Sequence, residues 1–167
     1  MSMCPVTEKL KRAGLAASLL LALSSTGYAH GGTAAIQQLP QGWTPLVASV
    51  AAPEAGLTLS GQFQHQGNAD TAVLVQNGQG GAYGLAVVPG TPADGAASIV
   101  KTFKDIHANP PHLSLIHPGS YQPVCHSGES CAPLSIANES IGLCFGEASC
   151  EIIYFADGAY HEIHVTD

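Results

Sequence analysis

Two pairs of cysteines with the same spacing constrain this chain more than any other feature of its sequence. Cys125 and Cys131 form one pair, and Cys144 and Cys150 form the other. Four cysteines allow three disulfide connectivities, and the sequence alone does not select among them. We favour two local bridges, because each pair flanks a segment with the composition of a turn. The chain-entropy treatment credits a ring as small as 125–131 with roughly 2 kcal/mol.

The N-terminal residues follow the order of an export signal. A basic stretch precedes an apolar run over 13–23, and small residues surround Ala29. We expect a signal peptide over residues 1–29 and a single β-rich periplasmic domain over residues 30–167. The apolar run is about half the roughly 20 residues that a membrane-spanning helix needs, so no membrane insertion is expected after cleavage. Cleavage also removes Cys4, which leaves the even number of thiols expected of a disulfide-bonded periplasmic or secreted protein.

The predicted mature chain is strongly acidic. Lys101 and Lys104 are the two of the five basic residues that remain, against eleven of the twelve acidic residues, which gives a net charge of −9 with neutral histidines. Such a surface repels phosphate backbones and favours encounter with a basic protein or a cation. We therefore exclude nucleic acid as a partner.

The rest of the chain consists of short apolar runs separated by turn residues. The residues at 77–81 tolerate positive φ, and Asp157-Gly158 is a strong signal for a two-residue hairpin. A short helical stretch is predicted only over 33–39. The sequence thus predicts an all-β or β-dominated single compact domain of short antiparallel strands, with at most one or two short helices. The predicted strands are Leu57–Phe63, Thr71–Gln76, Tyr83–Val88, Ile99–Phe103, Leu113–Ile116, Ile141–Phe145, Glu151–Phe155 and Tyr160–Val165.

Several short motifs occur in a recognisable order along most of the mature chain. They include Leu39–Trp43, Gly67–Val75, Tyr83–Val87 and Tyr154–Gly158. In this order they resemble the small exported bacterial proteins that carry one FG-GAP/VCBS-like repeat. The resemblance implies a compact, β-rich exported domain and does not itself name a function.

In that family, the turn before the strand that begins here at Asp70 usually reads as a calcium-type loop. The corresponding positions of this chain carry Gln62, Gln64 and Gln66, and only Asp70 keeps a carboxylate. Calcium prefers several carboxylate and carbonyl oxygens at close range, and neutral amides provide a much weaker field. The loop is therefore degenerate, and we do not expect calcium binding.

All eight histidines lie in the predicted mature chain, and His30 would be its first residue. A terminal amino group and an imidazole on one residue chelate copper, so the alternative prediction is a periplasmic copper- or zinc-binding protein that uses His30 and other histidines. His161 and His164 are three residues apart on a predicted strand, where side chains alternate between faces. These two histidines should therefore point to opposite sides.

No residue pattern indicates an enzyme. The sequence has no nucleophile elbow and no evident pair of catalytic carboxylates. Cys125 precedes a histidine, but a cysteine held in a disulfide does not supply a thiolate nucleophile. We therefore predict a non-enzymatic protein without a cofactor.

The preferred functional prediction is a non-catalytic periplasmic protein-binding module. Its most concrete form is an immunity or inhibitor protein that blocks a cell-wall hydrolase or a similar periplasmic effector, and the expected partner is a basic protein such as a peptidoglycan hydrolase. A ring closed by Cys125 and Cys131 would lose little further entropy when a partner captures it. The predicted contact residues are the polar ones inside this ring: His126, Ser127, Glu129 and Ser130.

Overall fold

The computed structural model describes residues 38–47, 56–78, 81–104, 106, 109–125, 131–146 and 149–165. These residues form eleven β-strands and one short 3-10 helix, Pro92–Asp94. None of their helices has the length and apolar character needed to cross a membrane. The strands are β1 Trp43–Pro45, β2 Thr58–Gly61, β3 Asp70–Asn77, β4 Tyr83–Val88, β5 Ser98–Phe103, β6 Pro111–Ile116, β7 Gly119–Tyr121, β8 Leu134–Ile136, β9 Ser140–Phe145, β10 Ser149–Ala156 and β11 Ala159–Val165.

The strands form two main antiparallel sheets and a small ribbon. In the first sheet the order is β1-β3-β4-β5, and β2 pairs with the part of β3 that β1 leaves open. In the second sheet the order is β11-β10-β9-β6, while β7 and β8 form the separate ribbon. Alternation along the strands gives each main sheet one face rich in apolar side chains.

The apolar faces of the two sheets pack against each other in one core. Leu74 and Leu85 come from the first sheet, whereas Leu143 and Ile153 come from the second. The fold is therefore a β-sandwich, in which both sheets bury one face. The first sheet also buries part of its outer face, where Val73 and Val75 pack beside Trp43.

The structure confirms the β-dominated fold and both local disulfides, Cys125–Cys131 and Cys144–Cys150. Each of the eight predicted strands is present, with ends that differ by two residues at most. The prediction missed β1, β7 and β8, which are only three residues long and contain proline, glycine and serine. Of the helical stretch predicted over 33–39, residues 38 and 39 are described, and they lie in a turn. The predicted signal peptide lies outside the described residues.

The hairpin between β10 and β11 forms as its turn residues predict. Ala156 pairs with Ala159, so only Asp157 and Gly158 connect the strands. Their φ angles are 51° and 80°, which fits the left-handed turn that suits the twist of paired strands. This tight turn fixes the register of β11 against β10 and hence which side chains of β11 lie on each of its faces.

Candidate functional site

The first disulfide closes a two-armed segment that we call the bridged stem, residues 119–125 and 131–136. Its lower part is the β7–β8 ribbon, in which Gly119 pairs with Ile136 and Tyr121 with Leu134. The strand pairing ends there, and the Cys125–Cys131 bridge then joins the two arms. The predicted contact residues, His126, Ser127, Glu129 and Ser130, lie outside the described residues.

Side-chain and backbone hydrogen bonds hold the bridged stem in place. Within it, the Gln122 side-chain amide donates to the carbonyl oxygen of Cys131 at 3.1 Å. At its base, the Tyr121 hydroxyl donates to the carbonyl oxygen of His117 at 2.5 Å. The stem also contacts the second sheet, because the amide of Val124 donates to the carbonyl oxygen of His164 in β11 at 2.9 Å.

Val124 itself presents an apolar side chain to solvent next to the bridge. Val124 is 46% exposed. Among the described residues it is one of two large apolar residues that are exposed, and the other is Val47, at 73%. The stem therefore carries an exposed apolar group at a position that the disulfide and the bond to His164 both restrain.

A cluster of charges bridges the two sheets close to this point. The Lys101 ammonium group in β5 forms an ion pair with Glu151 in β10, and a second one with Glu162 in β11 at 2.8 Å. The His164 ring nitrogen lies 3.4 Å from the other carboxylate oxygen of Glu151. The side chain of Glu151 is buried, whereas those of Glu162 and His164 are half or more exposed.

The pKa of Lys101 reflects two opposing effects. Partial burial lowers it, but hydrogen bonds and the charges of Glu151 and Glu162 outweigh this effect and raise the pKa above 10.5. Lys101 therefore stays protonated at physiological pH, and its charge is neutralised by the two carboxylates. Among the described residues, few basic side chains outside this cluster are therefore left to offset the negative charge of the surface.

An open cleft separates the edge of the first sheet from the β10–β11 hairpin. We call it the inter-sheet cleft, and it has a volume of about 450 Å³. Ser98 and Val100 line it from β5, and Phe155 and Tyr160 line it from the hairpin. A second cavity, of about 300 Å³, shares Val100 and Tyr160 with the first.

Tyr160 combines burial with an unsatisfied polar group. Its hydroxyl is buried and forms no hydrogen bond of acceptable geometry with any described residue. Burial raises the pKa of the Tyr160 phenol strongly, and the neighbouring Gln64 side chain offsets only part of this effect. Tyr160 is therefore a neutral donor at physiological pH, and buried polar groups without a partner are rare in folded proteins.

The loop that resembles a calcium site is closed by its own hydrogen bonds. Asp70 is buried, and its two carboxylate oxygens accept hydrogen bonds from the amides of Gln64 and Gly90, both at 3.0 Å. Gln62 turns back to accept from the amide of Gly67 at 2.8 Å. These side-chain oxygens thus accept hydrogen bonds from backbone amides.

The histidines do not assemble into a common site among the described residues. His161 pairs with Tyr154 and His164 with Glu151, so they lie on opposite faces of β11 as predicted. No group of three or more histidines, cysteines or acidic residues suited to a metal ion occurs in the described parts of the chain. His30, the predicted metal ligand, lies outside them.

Sequence reasoning missed the ion cluster and the cleft. A signal for the cluster exists, because Glu151 occupies an inward-facing position of an apolar strand, where a carboxylate requires a partner. Lys101 lies in the strand at the edge of the opposite sheet. No local signal identifies the cleft, because its walls come from segments far apart in the chain, with 96 positions between Gln64 and Tyr160.

Comparisons of this chain with family models, with curated proteins and with solved structures found no match. Disulfides persist in oxidising compartments, so the two bridges point to an extracellular environment.

Proposed function

We propose that this protein is a non-catalytic, exported protein-binding module of the periplasm, and most concretely an immunity or inhibitor protein. Its binding element would be the bridged stem together with the ring that Cys125 and Cys131 close. The observation that carries the proposal is the attachment of this stem to β11 through Val124 and His164, at 2.9 Å. The attachment ties the bridged end of the stem to the sandwich, beyond the base of the ribbon, where Ile136 is buried.

Restraint of the stem favours binding because association costs conformational entropy. A loop that is already closed by a bridge and held at its base loses less freedom when a partner captures it. Paired strands, the bond from Gln122 and the bond from Val124 all restrain the arms. Inhibitors that insert a segment into a cleft depend on this kind of preorganisation.

Val124 would supply the apolar anchor of the contact. Binding energy at protein interfaces concentrates in a few well-packed side chains surrounded by polar groups. Val124 is exposed beside Cys125, and the polar residues His126, Ser127, Glu129 and Ser130 follow in the chain. This composition matches an apolar anchor with a polar rim.

Charge would select the partner. The predicted mature chain has two lysines, and Lys101 is neutralised by Glu151 and Glu162. An acidic surface accelerates encounter with a basic protein and disfavours acidic ones. A basic peptidoglycan hydrolase, which must itself bind an anionic cell wall, is a partner of the required charge.

The test is capture of the partner by the mature, disulfide-bonded protein from envelope extracts, followed by measurement of affinity and of hydrolase inhibition. We expect a basic protein to be captured, and Val124→Arg to weaken its binding at least tenfold, the order expected of a central interface residue. Val47→Arg is the matched control, because it makes the same change at the other exposed valine. The proposal fails if no basic protein binds at micromolar concentration, or if both variants weaken binding equally.

The alternative proposal is copper or zinc binding through His30 and other histidines. It is tested by calorimetric titration of the correctly processed protein with each metal ion. A tight site with simple stoichiometry that is lost when one residue is added before His30 would support it. The inhibitor proposal expects no such site.

A further inference from the structure

The inter-sheet cleft has the size of a small-molecule site and is independent of the bridged stem. Its volume of about 450 Å³ lies within the range of roughly 300–1,000 Å³ that such sites occupy. The second cavity continues it past Tyr160 towards His161 and Glu162. A ligand that fills both would be elongated and would run along the gap between β5 and β11.

Aromatic side chains form one wall of the cleft. Phe155 and Tyr160 pack edge to face, with ring centroids 5.1 Å apart, and the His65 ring packs edge to face with Phe155 at 6.2 Å. Such packing limits rotation of the Phe155 and Tyr160 rings. Aromatic rings offer flat apolar surface on which the C–H groups of a ligand can pack.

Polar groups also line the cleft. Gln64, Asp94 and Ser98 reach it from three different segments. Asp94 is oriented by the Thr91 hydroxyl, which donates to its carboxylate at 2.7 Å, and by the Asn68 side-chain amide at 3.4 Å. Together an amide, a carboxylate and a hydroxyl provide both donors and acceptors for the hydroxyl groups of a ligand.

The hydroxyl of Tyr160 adds an unused donor to this set. The Gln64 side chain is near enough to lower the Tyr160 pKa, but no hydrogen bond of normal distance and angle joins the hydroxyl to any described residue. A buried hydroxyl without a partner costs free energy, and a ligand that supplies an acceptor recovers it. In the complex, the Tyr160 hydroxyl would have the hydrogen-bond partner that it lacks in the free protein.

The walls disfavour two other classes of ligand. Asp94 and Glu162 repel anions such as phosphate esters. A peptide that adds as a strand needs a regular free edge, but the pairing of β5 with β4 shifts register between Leu85 and Ala86, and β5 carries Lys101. Bulges and lysines are the devices that protect sheet edges against strand addition.

We infer that the inter-sheet cleft binds a short uncharged saccharide, with a sugar ring against Phe155 and Tyr160 and its hydroxyls bonded to Gln64, Asp94, Ser98 and the Tyr160 phenol. The inference does not rest on the proposed inhibitor function. A protein that binds no protein partner can still carry this site.

The experiment uses the mature disulfide-bonded protein and three neutral probes: maltotriose, cellotriose and N,N′,N″-triacetylchitotriose. Saturation-transfer NMR identifies which trisaccharide binds, and calorimetric titration gives its affinity. We expect at least one of them to bind and Ser98→Trp to abolish this binding by filling the cleft. Ser135→Trp, the same change at an exposed serine of β8, should leave the affinity unchanged and controls for folding.

Tyr160→Phe distinguishes a role of the hydroxyl in ligand binding from a role in stability, because the two predict different changes in affinity and in the free energy of unfolding. Removal of an unpartnered buried hydroxyl should not lower the free energy of unfolding, but it should weaken saccharide binding roughly three- to tenfold, the worth of one hydrogen bond. A variant that loses stability and affinity in parallel would contradict the assignment of Tyr160 to the ligand.

Three results would overturn the inference. The first is that none of the trisaccharides binds at millimolar concentration. The second is that one binds and Ser98→Trp leaves its affinity unchanged. The third is that a hexapeptide of alternating threonine and valine perturbs the amide signals of β5 while no saccharide does, since the cleft would then accept a peptide.

Discussion

The two disulfide-bridged segments have the same spacing but different surroundings. In each segment, the second cysteine lies six positions after the first. Cys144 and Cys150 face each other within the β9–β10 ladder, with paired residues on both sides and Cα atoms 4.1 Å apart. Cys125 and Cys131 lie beyond the end of the β7–β8 pairing, with Cα atoms 5.9 Å apart.

The Cys144–Cys150 bridge therefore joins strands that backbone hydrogen bonds already hold together, whereas the Cys125–Cys131 bridge joins segments that are not paired as strands. Leu143 beside Cys144 is fully buried, and the ladder would keep β9 and β10 together without a covalent link. In the bridged stem, by contrast, one side-chain hydrogen bond and the disulfide connect the arms above Tyr121 and Leu134. Four predictions test the comparison, in order of decreasing effect on stability.

The largest contrast is expected between the apolar neighbours of the two bridges. Leu143→Ala removes a fully buried side chain from the core and should lower the free energy of unfolding by about 2–5 kcal/mol. Val124→Ala shortens an exposed side chain and should change it by no more than about 0.5 kcal/mol. Denaturant unfolding of both variants measures the difference, and equal losses would show that the stem is part of the core.

Removal of either bridge should cost a similar amount of global stability. Both rings have the same length, so replacing each pair of cysteines with alanine should lower the free energy of unfolding by roughly 2 kcal/mol. Hydrogen exchange should distinguish them: only the loss of Cys125–Cys131 should accelerate exchange at the Val124 amide. Unchanged protection of Val124 in that variant would contradict the role assigned to the bridge.

Alkaline pH should weaken the contact between the sheets near the attachment of the stem. The folded state raises the pKa of Lys101, so its stabilising contribution is complete below pH 10.5 and is lost as the pH rises through the raised value. Burial raises the pKa of Tyr160 as well, so above pH 10 its phenol ionises more readily in the unfolded state, and this also lowers stability as the pH rises.

Thermal unfolding between pH 8 and pH 11.5 checks this expectation. The melting temperature should fall above about pH 10, where lysine and tyrosine side chains ordinarily begin to lose protons. The fall should be shallower in Tyr160→Phe, which removes one of the two groups. A melting temperature that stays constant over this interval would contradict both assignments.

The smallest effect is expected from the hydrogen bond within the stem. Gln122→Ala removes a bond of 3.1 Å to the carbonyl oxygen of Cys131 in an exposed position. The loss of global stability should be about 0.5 kcal/mol, at the low end for a hydrogen bond. Exchange at Val124 should increase less than it does without the bridge, and a larger increase would assign the restraint to Gln122 instead of the disulfide.

Local sequence patterns predicted most of the fold because its strands are bounded by strong turn residues. Asp157 and Gly158 adopt positive φ and define the last hairpin, and the alternation around Ile141 and Leu143 identifies a buried face. The three missed strands lack such patterns. Trp43–Pro45 and Gly119–Tyr121 extend only when a neighbouring strand is present to pair with them.

The candidate sites were predictable to a smaller extent. The cysteine spacing correctly indicated both local bridges, and strand alternation correctly placed His161 and His164 on opposite faces. The attachment of Val124 to His164 joins segments that are 40 residues apart, and no local pattern encodes it.

The amino-acid sequence by itself determined the net acidity, the β-rich class and the turns, because these depend on composition and on conformational preferences within a few residues. It favoured local pairing of the cysteines, and the structure selected that pairing among the three possible ones. Only the tertiary structure decided that Lys101 forms ion pairs with Glu151 and Glu162. It also decided that Tyr160 borders the inter-sheet cleft and that its hydroxyl has no hydrogen-bond partner among the described residues. Those contacts depend on how two sheets stack. Stacking is a property of the assembled core, in which distant segments meet through packing of apolar faces.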